Sequence, residues 1–261
     1  METPQTAADI AARFRTANAD EFAVLKRSFE ADTRKTVRNA MAAAEKRLAA
    51  EKADFDRVVS MYAFQSELSC GGIAVGLDEV GRGPLAGPLC VGAVVLPDDP
   101  IIAGLNDSKQ LSEQKREELA SIIKDKAIAW SVCYVEPHDI DVSGMTASLR
   151  VAFSRAIKDI EAQGVRIDTV LLDGNPLRID ARERNVIKGD AKCASIAAAS
   201  IIAKVSRDAL MVEYSKEYPQ YGFDRNKGYG SADHQQAIRD YGLCPIHRVS
   251  FCSAFTQDTL F

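Results

Sequence analysis

Residues 76–88 read GLDEVGRGPLAGP, and they set two carboxylates, Asp78 and Glu79, side by side just before a Gly-Arg-Gly-Pro turn. The run leading into them, IAVGL at 73–77, is short, apolar and bounded by turn residues, which predicts a strand. Successive side chains of a regular strand face opposite ways, so the two acids share one site only where the strand ends or bends. Gly81 and Gly83 supply that freedom.

Further runs of the same texture follow: CVGAVVL at 90–96, IAWSVCYV at 128–135 and TVLLD at 169–173. Between them lie helical patterns. SEQKREELASIIKDK opens on Ser112 as N-cap with Glu113 in the first turn, and TASLRVAFSRAIKDIEAQ ends at Gly164. The first strands follow one another directly and the later ones alternate with helices, which predicts an α/β fold with a mixed sheet flanked by helices. After Asp173 the chain reads as mostly helical. It includes AKCASIAAASIIAKVSRDALMVEYSKEY and then SADHQQAIRDYG, with Ser231 as N-cap and Gly242 just past the end.

Residues 1–65 are rich in Ala, Arg, Lys and Glu and place Val37, Met41, Ala44 and Leu48 at helical spacing, a helical N-terminal extension. SELSCGG, 66–72, breaks that pattern and reads as a linker. The main domain then spans 73–251, with 252–261 as a tail.

At 261 residues and 46% hydrophobic, the chain has enough apolar surface for a full core. The longest smooth apolar run, SIAAASIIA at 195–203, is far short of the roughly 18 to 20 residues of a membrane span, and no apolar signal core opens the sequence, so it reads as cytoplasmic. Six cysteines lie scattered without a CxxC pair, which predicts reduced thiols and no zinc cluster. The net charge of -4 is uneven: residues 69–173 hold 16 acidic against 10 basic residues, while 174–261 hold 10 against 12. Excess acid in the middle of the chain is either a carboxylate site for cations or a solvated acidic surface.

Asp173 ends the strand TVLLD, and Asp190 stands in KGDAK where a helix begins. Acids at strand ends and at a helix start can meet at one sheet edge, where Asp78, Glu79, Asp173 and Asp190 would repel unless cations sit among them. Hard oxygen donors suit Mg2+ or Mn2+, and the pattern points to phosphoryl transfer with two metal ions. The plain alternatives are a turn-forming Asp173, an Asp190 that caps a helix and a solvent-facing Glu79.

GLDEVGRGPLAGP, GLNDSKQLSEQKREEL, LLDGN, KGDAKCASIAAASIIAKVSRD and KGYGSADH together resemble the successive signature blocks of type 2 ribonuclease H, ribonuclease HII, from about Ile73 to Phe251. The related type 3 enzymes carry Gly-Lys-Gly where this chain has Gly81-Arg82-Gly83, and have a different N-terminal domain. The stretch DIDVSGMTASL departs from the family's Leu-Asn-Ile at Val142 to Gly144.

The resemblance implies a ribonuclease H-like fold in which Asp78, Glu79, Asp173 and Asp190 bind two ions, Mn2+ or Mg2+. It implies an endoribonuclease that hydrolyses the RNA strand of RNA/DNA hybrids and cuts 5′ to ribonucleotides embedded in duplex DNA, as in ribonucleotide excision repair. The Gly81-Arg82-Gly83 turn and Tyr229 would read the 2′-hydroxyl, the group that separates RNA from DNA. For Tyr229 the alternative is a hydroxyl buried beneath a turn. No histidine base is required, and His234 reads as structural.

Arg82, Lys109, Lys192, Lys204, Arg207 and Lys227 are candidates for phosphate contacts, with Arg82 and Lys109 the leading two. Basic spots at Lys26-Arg27 and Arg34-Lys35-Arg38 make the N-terminal helices a substrate-binding aid or a solvated charged surface. The last five residues, QDTLF, resemble the peptide that docks on the bacterial sliding clamp, with Gln257, Leu260 and Phe261 as anchors, the alternatives being a chance match or a tail that packs on the protein's own core. Two other readings stay open: another ribonuclease H-like metal-dependent nuclease, and a non-catalytic nucleic-acid-binding module.

Overall fold

The computed structural model of the chain describes residues 5–256, in two compact units that part between Arg57 and Val58. The first contains α1 (Ala7–Thr16), α2 (Ala19–Phe29) and the start of α3 (Lys35–Leu68). Capping boxes open both short helices: Thr6 accepts from Asp9 N–H, and Asn18 from Glu21 N–H, while each acid reaches back to its cap. Their apolar stripes bury Ile10, Phe14 and Leu25 with Val37 and Ala44, and Phe14 meets Phe22 edge-on at 5.9 Å. α3 runs to Leu68 and so takes in the first three residues of the stretch 66–72 that the sequence reads as a linker.

The second unit is built on one five-stranded sheet. Its strands are β1 (Ala74–Val80), β2 (Leu89–Val95), β3 (Ala129–Val135), β4 (Thr169–Asp173) and β5 (Glu183–Val186), in the order β3-β2-β1-β4-β5. β3, β2 and β1 are antiparallel neighbours, whereas β4 and β5 continue from β1 in parallel. The four strands expected from sequence are present within a residue or so at most ends. β5 was not expected: ERNV is short and polar, and pairing with β4 rather than local propensity makes it a strand.

Helices α4 (Glu113–Lys126), α5 (Pro137–Ser143), α6 (Met145–Ala162), α7 (Ala194–Glu217), α8 (Phe223–Asn226), α9 (Ala232–Tyr241) and α10 (Val249–Thr256) complete the unit. Ser112 caps α4 and Ser231 caps α9, as their sequences indicate. The sheet is covered on both faces. Val75, Leu77, Val91 and Leu172 pack with Phe153 and Ile157 of α6 on one side. On the other, Val94 packs with Leu119 and Ile123 of α4 and with the alanine-rich start of α7.

Residues 194–203 are all buried, which explains why that run shows no helical amphipathy. Two glycines admit it so close to the sheet. A Cβ on Gly76 would stand 2.2 Å from the Ser195 carbonyl carbon, and one on Gly92 would stand 2.3 Å from the Ala199 carbonyl oxygen. Gln65, near the end of α3, satisfies the start of α7 by accepting from Ser195 N–H at 2.8 Å. Among the described residues no helix is long and apolar enough to cross a membrane, and all six cysteines are free thiols.

Candidate active site

Leu77 of β1 pairs with Leu172 of β4 in parallel register, so Asp78 and Asp173 leave adjacent strands at the same carboxyl edge. Asp190 reaches that edge from a one-turn 3-10 segment, residues 189–191, that leads into α7. There the Gly189 N–H donates to Asp173 Oδ1 at 2.6 Å, tying Asp173 to the residue next to Asp190.

Burial, followed by repulsion from Glu79 and Asp173, pushes the Asp78 carboxyl well above its ordinary range, while a hydrogen bond from Ser200 on α7 partly offsets this. Ser200 Oγ in turn lies 2.9 Å from Ser108 Oγ. Glu79 is also raised by burial, and Arg82 opposes the shift from 3.2 Å. Asp190 is raised by burial and then by Asp107 and Asp173, with Lys109 Nζ at 3.5 Å. Burial alone would lower Lys109, but the carboxylates of Asp107, Asp190 and Asp78 outweigh it and hold the ammonium above its usual value.

Asp78 and Glu79 do not share a bend. β1 stays paired through Val80 with Cys90, so the two carboxylates leave on alternate sides, and Asp173 is the neighbour that both of them feel. Among the described residues, no three His, Cys, Asp or Glu side chains are grouped closely enough to hold a metal ion as they stand. Each acid is turned instead to a donor of the protein: Ser200, Arg82, Gly189 N–H or Lys109. The donor set nevertheless fits a hard divalent cation. Three raised carboxylates at one edge, each repelled by Asp173, are what a bound cation relieves.

Next to the acids, Gly81 takes φ +93°, and a Cβ there would meet Arg207 Nε at 2.4 Å. Gly83 has nothing within 4 Å of where its Cβ would be, leaving the turn open on that side. Arg248 is completely buried beneath this turn and donates to the carbonyls of Gly81 at 2.6 Å, Arg82 at 3.1 Å and Gly87 at 2.8 Å. Arg82 itself is exposed, as is Tyr229 at 44%. Leu85 N–H donates to Gly228 O at 2.9 Å, which stitches the turn to the segment carrying Tyr229.

Arg207, one of the candidates for a phosphate contact, is instead fully buried. Its guanidinium donates to the carbonyls of Pro88, Ala86 and Lys227 and so supports the same corner from beneath. Lys204 is tied to Asp208 at 2.8 Å. Arg248, Asp107, Ser108 and Ser200 were not picked out in sequence. Asp107 and Ser108 lie within the block GLNDSKQ, the one signal that pointed to them. In the stretch that departs from the family pattern, Asp141 accepts from Val249 N–H at 2.7 Å and Ser250 N–H at 3.1 Å, capping α10. Gln257, Leu260 and Phe261 lie outside the described residues.

The Ribonuclease HII family model matches residues 75–254, and that of the Ribonuclease HII N-terminal domain matches residues 6–69. A relative called Ribonuclease HII, from Acetivibrio thermocellus, is 44% identical over 215 residues, 81% of this chain and 82% of its own length. The crystal structure of ribonuclease H2 from Pyrococcus horikoshii OT3 has a TM-score of 0.60 at 28% identity, covering 71% of this chain and 100% of that one. The PCNA:RNase HII complex from Archaeoglobus fulgidus matches with a TM-score of 0.60 at 25% identity, over 72% of this chain and 98% of that one. Signature blocks, sheet order and matched span agree: the chain belongs to the ribonuclease HII family, metal-dependent endoribonucleases of the ribonuclease H class.

Proposed function

We propose that the chain cuts the RNA strand of RNA/DNA hybrids and the 5′ side of ribonucleotides embedded in duplex DNA, leaving 3′-hydroxyl and 5′-phosphate ends. Asp78, Glu79, Asp173 and Asp190 are the ligands of two divalent ions, Mn2+ or Mg2+. The observation that carries this reading is the placing of these acids at one sheet edge, three of them raised by burial, directly beside the open Gly81-Arg82-Gly83 turn.

When bound, such ions supply Lewis-acid stabilisation of the attacking and leaving oxygens of an in-line displacement. The chain's own residues orient the parts. Ser200 and the Gly189 N–H aim Asp78 and Asp173, and the exposed Arg82 and Lys109 meet the phosphates flanking the cut. The turn's backbone, free of side-chain bulk, reads the 2′-hydroxyl, and the Tyr229 ring stacks on the neighbouring sugar or base. His234 and His247 are not general bases of this site, because both are buried and bonded to each other at 3.0 Å. For Gln257, Leu260 and Phe261 we assign docking on a sliding clamp, a reading supported by the PCNA complex of the archaeal neighbour.

The test is an end-labelled DNA duplex containing one ribonucleotide, incubated with protein and Mg2+ or Mn2+, with EDTA and Asp78→Asn as controls. One cut 5′ to the ribonucleotide, lost in both controls, is expected. Cleavage that survives excess EDTA would overturn the metal assignment, and an intact duplex beside a cleaved RNA/DNA hybrid would overturn the ribonucleotide specificity.

A further inference from the structure

Behind Tyr229 lies a buried pair of histidines that hydrolysis does not use. His234, in the first turn of α9, and His247, just before α10, are both buried, against the stacked rings of Tyr221 and Phe223. Every ring nitrogen has a partner. His247 Nδ1 lies 2.9 Å from Cys244 N–H, the two Nε2 atoms are 3.0 Å apart, and His234 Nδ1 is 2.8 Å from the Tyr229 carbonyl oxygen.

These contacts define the protons. A backbone N–H only donates, so His247 Nδ1 accepts and its proton sits on Nε2. The Cys244 carbonyl, at 3.3 Å, is a longer contact that the same nitrogen cannot also serve. His247 Nε2–H therefore donates to His234 Nε2, which leaves the His234 proton on Nδ1, aimed at Tyr229 O. Burial keeps both rings neutral, with the His247 pKa lowered to about 4. The result is a directed chain of hydrogen bonds from Cys244 to Tyr229.

The next residue along, Arg248, holds the carbonyls of Gly81 and Arg82. Two consecutive side chains on one segment thus grip the two halves of the corner, the glycine turn and the tyrosine turn. The geometry points to His234 and His247 as positioning residues: their relay sets Tyr229 against the Gly81-Arg82-Gly83 turn, and so governs selection of the ribonucleotide rather than hydrolysis at the carboxylates. The inference rests on the reading of Tyr229 as part of ribonucleotide recognition.

The experiment measures kcat and KM for the full chain on two substrates, a DNA duplex with one embedded ribonucleotide and a long RNA/DNA hybrid, with the Tm of each variant. Tyr229→Ala is expected to lower kcat/KM on the single-ribonucleotide duplex more than on the hybrid. No change in that ratio would overturn the recognition reading itself. Given that change, His234→Leu is expected to lower the same ratio about tenfold, and Tyr229→Ala combined with His234→Leu to lower it no further than Tyr229→Ala alone. His234→Asn, whose amide nitrogen takes the place of Nδ1, is expected to recover the ratio to within about threefold.

A second pair covers a His234→Leu that fails to fold: His247→Leu removes the donor to His234, and His247→Gln keeps one at the place of Nε2. Equal losses on both substrates, additive losses with Tyr229→Ala, or absence of rescue by the amide variants would each show the pair to be packing alone and overturn the proposal.

Discussion

At the carboxylate edge, Asp78 is buried, and the Ser200 hydroxyl and the Glu79 N–H offset only part of the push from burial, Glu79 and Asp173; in the adjoining corner, Arg207 and Arg248 are buried just as deeply and are met by the carbonyls of six different residues. Both regions bury charge, yet only one leaves it poorly compensated. Burial lowers Arg248 to about 10, so its guanidinium remains charged at neutral pH and does structural service for the backbone. The raised acids hold free energy that only a cation from outside recovers. Under-satisfied charge marks the place for a ligand, and fully satisfied charge marks the frame that holds the site still.

The largest test of this contrast separates activity from stability at one residue. Asp78→Asn is expected to slow cleavage by about 10³-fold or more, a loss of several kcal/mol of transition-state stabilisation. It is also expected to raise the Tm at neutral pH in EDTA. The sign follows from linkage: a carboxyl raised on folding contributes stability that is present below its unfolded pKa, about 4, and is lost as pH rises through its folded value. Asparagine cannot ionise and escapes that loss. Adding Mn2+ should stabilise the wild type, by about 2.7 kcal/mol at 100 times the dissociation constant, and the variant less. A variant that loses activity and stability together in EDTA breaks the contrast.

On the satisfied side the expectation reverses. Arg248→Met strands the carbonyls of Gly81, Arg82 and Gly87, and is expected to cost about 3 kcal/mol or more in urea unfolding. Lysine at this position should rescue little, because one ammonium cannot replace a fork that spans three acceptors. An undiminished midpoint would mean that the corner holds itself. Gly76→Ala probes the scaffold under the acids: a Cβ at 2.2 Å from backbone of α7 must push that helix off the sheet, for about 1 to 3 kcal/mol and a measurable drop in kcat. The smallest effect belongs to the exposed cations. Arg82→Ala and Lys109→Ala should each reduce the slope of log binding constant against log salt by about 0.9, and an unchanged slope would remove that residue from the phosphate contacts.

Much of this was legible along the chain. Strand runs with their bounding turns, Ser112 and Ser231 as caps, and the blocks carrying Asp78, Asp173 and Asp190 all depend on neighbours within a few residues. What was misread depends on neighbours far away. Arg207 looked like any basic residue on a helix, but three carbonyls from two separate loops enclose it. Asp78 and Glu79 looked like a pair that needed a bend; β2 keeps β1 regular through Val80, and a third acid from β4 joins them instead. β5 exists because β4 offers an open edge.

By itself, then, the sequence determined most of the segments that form strands and helices, β5 excepted, where the acids stand along them, and through its ordered blocks the family. Only the tertiary structure decided which charges face one another and which are already answered: that Asp173 meets both Asp78 and Glu79, that Arg207 and Arg248 serve carbonyls, and that His247 reaches Tyr229 through His234. The reason is physical. Backbone conformation is chosen by local sterics and hydrophobic period, whereas the state of a buried charge or a shared proton is set by whatever lies within a few ångströms in space, whatever its distance along the chain.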